Sequence, residues 1–160
     1  MFLLLIREQD FLNYVALHDY RHAIELALSL SQPGRLFKLF KDLAASGGDD
    51  VPFTGHAAVD EVLRTLDATD LVRLLRYVRE WNARASSAAV AQGVLYAMVK
   101  LRSADELMHA LEGSVDDGTN RTKLGSTTAL EVIDGLIPYT ERHLARSIDS
   151  YRRVILWTTS

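Results

Sequence analysis

Two stretches of this chain have the residue types and spacing of reactive chemistry. In His18-Asp19-Tyr20-Arg21-His22, two imidazoles stand four residues apart, the spacing that zinc proteases use on one helical face. That chemistry needs both rings on the same face, a carboxylate base and a third ligand. Asp19 reads as a helix N-cap, which places His18 outside the helix and makes the rings diverge. Asp also stands where the metalloprotease pattern has Glu, and no third ligand is evident, so surface histidines are the expectation. Gly48-Asp49-Asp50 resembles the paired carboxylates of metal-dependent polymerases, but those sit on a strand hairpin with further acidic partners. Here the pair falls in a loop of a helical chain. There is no Gly-rich phosphate loop, no Gly-x-Ser-x-Gly elbow and no cysteine nucleophile. The expectation is a protein that is not an enzyme, with no catalytic, cofactor-binding or metal site.

The charge balance argues in the same direction. The chain carries 18 Lys and Arg against 21 Asp and Glu, a formal charge of −3, and the deficit lies in residues 1–80. Neither half is basic enough for a dominant phosphate-binding surface. Arg73, Arg76 and Arg79 lie opposite an apolar helical stripe and read as a solvated face. Arg142, Arg146, Arg152 and Arg153 give the last helix a mild positive excess that could meet an acidic partner or an RNA backbone. The absence of cysteine excludes disulfides and thiolate metal sites and suits a reducing compartment. Phe2-Leu3-Leu4-Leu5-Ile6 is apolar but far shorter than the ~20 residues a membrane span requires. It lacks the flanks of a signal peptide and is read as the start of helix one. No membrane association is expected.

The elements that must position these residues have helical period almost throughout. After Asp19, the residues Tyr20, Ala23, Ile24, Ala27 and Leu28 fall on one helical face. Ser31-Gln32-Pro33 breaks that helix, and Pro33 suits the first turn of the next, through Leu36, Phe37, Leu39, Phe40 and Leu43. Ser46–Pro52 is a loop by composition. Val59, Val62, Leu63 and Leu66 make one stripe, and Leu71, Leu74, Leu75 and Val78 another. Residues 87–101 are apolar nearly all round, which predicts a central buried helix. Ser103-Ala104-Asp105-Glu106 reads as a capping box opening a short helix that Gly113 ends. A polar loop over 112–126 and a second capping box at Thr128 precede Val132, Ile133, Leu136 and Ile137. The last helix is predicted from near Pro138 toward Trp157, with Leu144, Ile148, Tyr151 and Ile155 as a packing seam. The fold class expected is all-α, a single domain over 1–160, either an irregular helical bundle or a short α-solenoid of paired antiparallel helices.

Polar residues inside this pattern read as staples. Trp81 and Asn82 fall at a helix end, where Asn tolerates a left-handed conformation. Gln92 falls in the most apolar helix, so its amide must be paired, and a neighbouring loop backbone is the expected partner. Tyr139, Arg142 and His143 form a comparable staple where Pro138 redirects the chain.

Asn13-Tyr14, Ala23 through Leu30 with Gln32-Pro33, Trp81-Asn82, Ala91-Gln92 and Leu136-Ile137-Pro138-Tyr139-Thr140-Glu141-Arg142-His143 occur here in a specific order and spacing. From about Phe11 to Tyr151, the chain resembles the C-terminal helical domain of the U-three protein thirteen family, called transducin beta-like protein three in animals. The resemblance implies a helical domain that follows two WD-repeat propellers in a subunit of UTP-B. UTP-B is a subcomplex of the small-subunit processome, which assembles on pre-ribosomal RNA in the nucleolus of the nucleus. It implies a non-catalytic assembly module joining C-terminal helical domains of sister subunits. No propeller sequence is present, so the chain is read as an excised domain or fragment, and the segment after Tyr151 matches less well. The candidate protein interface is Tyr151, Val154, Ile155 and Trp157, with Phe2, Leu4 and Leu5 as a second group. Two alternatives stand beside it: an α-solenoid adaptor for short peptides, and direct RNA contact through the Arg faces.

Overall fold

A computed structural model describes residues 2–47 and 54–113 of the chain. These residues form helices α1 (Phe2–Ala16), α2 (Tyr20–Ser29), α3 (Pro33–Ser46), α4 (Ala57–Thr65), α5 (Ala68–Asn82), α6 (Ala88–Leu101) and α7 (Ala104–Gly113). Among the described residues there is no strand, so the fold is all-α. No helix among them is long and apolar enough to cross a membrane. Asp49-Asp50, the Thr128 capping box, the polar staple at Pro138, Tyr139, Arg142 and His143, and the interface candidates Tyr151, Val154, Ile155 and Trp157 all lie outside the described residues.

The first three helices are joined by turns with almost no linker. At the end of α1, the Asp19 amide donates to the Tyr14 carbonyl at 2.8 Å and the His18 amide to that of Val15 at 3.0 Å. At the end of α2, the Gln32 amide donates to Ala27 at 3.0 Å and the Ser31 amide to Leu28 at 3.1 Å. Both patterns are Schellman closures, and each needs a left-handed residue, supplied by His18 (φ 57°) and Ser31 (φ 52°). Glycine is the usual residue there because a side chain costs energy in that region. The second closing residue in each turn, Asp19 or Gln32, is also the N-cap of the next helix. One residue therefore ends a helix and begins its neighbour, which folds consecutive helices back against each other.

Helix α2 lies at the centre of this arrangement, packing against α1, α3, α4 and α5. Tyr20, Ala23, Ile24, Ala27 and Leu28 are all buried, as the period of the sequence requires. The stripes on α3 (Leu36, Leu39, Phe40, Leu43), α4 (Val59, Val62, Leu63) with Leu66, and α5 (Leu71, Leu74, Leu75, Val78) join them in one core. Pro33 occupies the first turn of α3, and the Ser103 hydroxyl accepts from the Glu106 amide at 3.2 Å to cap α7.

One expectation needs correction. Helix α6 packs against α3, α4 and α5 and buries Ala88, Ala91, Val94, Ala97 and Met98, but Tyr96 and Val99 are more than half exposed. The sequence is apolar on every side of this helix, yet its described neighbours cover only one. Composition reports how hydrophobic a helix is, and neighbours decide how much of it is covered.

Replacing Ser31 with glycine removes the left-handed penalty of about 1–2 kcal/mol and adds back part of it as unfolded-chain entropy. A net gain of roughly 0.5 kcal/mol is expected, raising the melting temperature by about 1–2 °C. Thermal unfolding followed by circular dichroism checks this, and a lowered midpoint would contradict the turn assignment.

Candidate interaction surface and its polar anchors

The first two turns of α1 stand clear of the body. Phe2, Leu3 and Leu5 are 77%, 70% and 61% exposed, and Ile6, Leu12 and Leu17 are exposed as well. Leu4 belongs to the same stretch, but its side chain lies outside the described residues. Further along, α1 is held by Phe11, which is buried, and by Arg35 of α3. The Arg35 guanidinium pairs with Glu8 and sits 5.8 Å from the centre of the Phe11 ring. The helix is thus pinned at its middle while its beginning presents bare aliphatic and aromatic surface. Of the sequence-level candidates Phe2, Leu4 and Leu5, the two whose side chains are described lie in this exposed stretch.

The polar residues singled out in the sequence have internal duties. Asn82 is fully buried at the end of α5, and its carbonyl oxygen accepts from the Gln92 side chain of α6 at 2.7 Å. One expectation changes here: Asn82 is not among the residues with left-handed backbone. The Gln92 amide is paired, and its partner among the described residues is the Asn82 side chain. An amide pair across two packed helices satisfies both groups without unwinding either helix, and it fixes their register. Trp81 beside it packs edge-on to Phe37 and Phe40, with ring centres 5.3 and 6.4 Å away, and its carbonyl accepts from the Ser87 hydroxyl at 2.6 Å. Gln32 and Pro33 form the turn into α3 described above.

The two histidines are engaged separately. His18 Nδ1 lies 2.8 Å from the Tyr20 hydroxyl. His22 Nδ1 lies 2.7 Å from Asp19 Oδ2, and its ring stacks on Tyr14 with centres 5.2 Å apart. Asp19 also accepts from the His22 amide at 3.3 Å, completing the N-cap. Among the described residues, no three His, Asp or Glu side chains are grouped so as to hold a metal ion. Arg73 is paired with Asp70 at 3.2 Å, which takes it out of any basic stripe with Arg76 and Arg79.

Two anchors were not read from the sequence. Arg102, the C-cap of α6, donates from Nε to the Leu63 carbonyl at 3.0 Å and from its terminal nitrogen to Leu66. It places a cation at the C-terminus of α4, where unpaired carbonyls and the helix dipole favour one. Asp60 is buried and accepts from the Thr54 amide at 3.0 Å and the Thr54 hydroxyl at 2.5 Å, tying the preceding loop to α4. The available signal was an acid inside the Val59/Val62/Leu63 stripe. Every buried side-chain nitrogen or oxygen among the described residues has a hydrogen-bond partner.

Gln92→Ala would leave the buried Asn82 carbonyl without this donor and should cost about 1–3 kcal/mol. Adding Asn82→Leu should recover part of the loss. Urea unfolding of the two single variants and the double variant measures the coupling, and additive losses would contradict a direct pair.

Acid titration should separate two carboxylates. Partial burial, with Asp67 next in effect, raises the Asp70 pKa above its usual 3.8. A raised pKa means the folded protein holds its proton more tightly, so this contribution is present at low pH and is lost as pH rises through the folded value. Asp19 is the reverse: the His22 hydrogen bond lowers its pKa, so its contribution is present above about 3.8 and is lost as pH falls. Asp70→Asn should therefore stabilise the protein more at pH 7 than at pH 4, by denaturant midpoints measured at both. An equal effect at the two pH values would contradict the assignment.

Comparison with known proteins places the chain in a family. Residues 8–157 match the Utp13 specific WD40 associated domain. The chain is also 27% identical over 150 residues to U3 small nucleolar RNA-associated protein 13 of Saccharomyces cerevisiae. That match covers 88% of this chain and 16% of the relative, so the chain spans about a sixth of that protein's length. With 150 of its 160 residues inside the family match, and with an all-α fold, the chain belongs to the Utp13-specific WD40-associated domain family.

Proposed function

We propose that this domain is a non-catalytic protein–protein assembly module of the UTP-B subcomplex, acting in small-subunit ribosome biogenesis and pre-rRNA processing in the nucleolus. Its task is to join the C-terminal helical domains of sister subunits into a hetero-oligomer within the small-subunit processome. Family membership supports the setting, together with a relative whose name associates it with U3 small nucleolar RNA. The observation that carries the mode of action is the contrast between the interior and α1. Among the described residues the buried polar side chains are engaged within the fold, while the beginning of α1 leaves Phe2, Leu3, Leu5 and Ile6 exposed.

Contiguous apolar surface of that kind marks contact sites in soluble proteins. Lasting interfaces draw on aliphatic and aromatic side chains, as this stretch supplies. Tyr151, Val154, Ile155 and Trp157 remain the second candidate contact group on the strength of their sequence pattern. Direct RNA contact through Arg73, Arg76 and Arg79 has less support, because Arg73 is paired with Asp70 and Glu80 adjoins Arg79.

Light scattering after size exclusion tests the proposal, on this domain alone and mixed with the helical C-terminal domains of the other UTP-B WD-repeat subunits. A stoichiometric hetero-oligomer with at least one of them is expected. A monomer in every mixture would overturn the reading.

A further inference from the structure

Helix α6 stays apolar on the side that its described neighbours leave open. With about 100° of turn per residue, Ala89, Gly93, Tyr96 and Val99 fall within one arc of about 120°, and all four are exposed. Ala91, Val94, Ala97 and Met98 are buried on the other side, against α3, α4 and α5. Gln92 also falls in the open arc, but its amide is turned onto Asn82. The only charge from Ala88 to Leu101 is Lys100, whose ammonium sits 5.7 Å from the centre of the Tyr96 ring. A Cβ built at Gly93 would meet nothing within 4 Å, which leaves room for a second helix to come close. A stripe of ~100° suffices to bury one helix against another surface, and this arc is wide enough.

The chain carries a complementary piece beyond the described residues. Counted at helical period from the Thr128 capping box, Val132, Ile133, Leu136 and Ile137 share one face, and Glu131 and Asp134 share the other. No basic residue occurs from Gly125 to Ile137, so the segment is anionic where α6 is cationic. The family match, residues 8–157, takes in α6 and this segment as parts of one domain. The tether between them is short. Helix α7 packs on α5, which packs on α6. From its end, the 14 residues 114–127 reach up to about 45–50 Å. A segment held that close has an effective concentration on the order of millimolar, so it takes an apolar face ahead of a separate chain. We propose that residues 128–137 of this chain lie along the open face of α6. Their apolar stripe covers Gly93, Tyr96 and Val99, and Asp134 is directed toward Lys100. That face of α6 is then an internal seam, and sister subunits meet the domain elsewhere.

The test uses the full chain alone, so its result does not depend on the assembly reading. The sequence has no cysteine, and one introduced thiol therefore reports by itself. Val99→Cys places that thiol on the α6 face, and Leu17→Cys, at a position 76% exposed on α1, is the control. In a sample that light scattering shows to be monomeric, a maleimide should label Val99→Cys at least tenfold more slowly than Leu17→Cys. Adding Ile133→Asp and Leu136→Asp should restore the control rate, with circular dichroism showing the domain still folded. A nitroxide on Lys100→Cys provides a second measurement without disrupting the stripe, and it should broaden the amide signals of residues 128–137. Labelling of Val99→Cys at the control rate overturns the proposal. So does protection without broadening of 128–137, or protection that survives both aspartates in a folded variant, because something else then covers α6. If the aspartate variant does not fold, the nitroxide result decides.

Discussion

Four helices lean on α2, and they can do so because that helix is thin where they meet it. Ala23 and Ala27 alternate with Ile24 and Leu28 on its face, and all four are fully buried. Alanine lets a neighbouring backbone approach closely, while Ile and Leu fill the spaces on either side, which is how ridges on one helix settle into grooves on another. A larger residue at Ala23 or Ala27, both fully buried, would press on its neighbours, and in a close-packed interior that strain has nowhere to go. The tight closures at His18 and Ser31 matter for the same reason. With Asp19 and Gln32 each shared between two helices, α1 and α3 have no slack with which to drift away from α2.

The apolar framework was legible because burial and period are coupled. The stripes read on α2 through α5 are buried except for Phe37 of α3, which is half-buried, and caps at Asp19 and Ser103 and the proline at the start of α3 fall where backbone chemistry puts them. What was not legible is instructive. The left-handed residues are His and Ser rather than Gly, so the turns carry no glycine signal and their strain is absorbed by two hydrogen bonds each. Arg102 reaches α4 from 36 and 39 residues away, a separation that no local pattern reports. Gln92 was recognised as an amide needing a partner and Asn82 as a helix-end residue, but that the two bond to each other depends on how α5 and α6 dock. Helical periodicity gives the face of each helix and leaves the pairing between faces open.

The candidate surface shows the same boundary from the other side. Phe2 and Leu5 were read as a second contact group within an apolar start of helix one, and both side chains are exposed. The sequence could not say which side chains of that stretch would be left uncovered, nor that Arg35 would hold α1 in place behind it. Those are consequences of where α2 and α3 lie. The other candidate contact group, around Tyr151 and Trp157, falls outside the described residues and stays a reading of spacing alone.

With the buried polar side chains of the described residues paired and the start of α1 bare and apolar, the labour is divided in a way suited to assembly. Internal pairs such as Asn82 with Gln92 and Asp60 with Thr54 contribute modestly to stability when made and cost more when broken, so they act chiefly to exclude other packings. Rigidity of that kind lowers the entropy lost on association, because the contact surface needs no rearrangement before it docks. Exposed aliphatic area then supplies the drive, at about 25 cal/mol for each Å² removed from water. Neither half suffices alone: a mobile scaffold would lose its gain in ordering, and a rigid scaffold without bare apolar surface would have little to bury. The position of the Arg35 clamp, immediately behind the exposed turns of α1, is where the two halves meet.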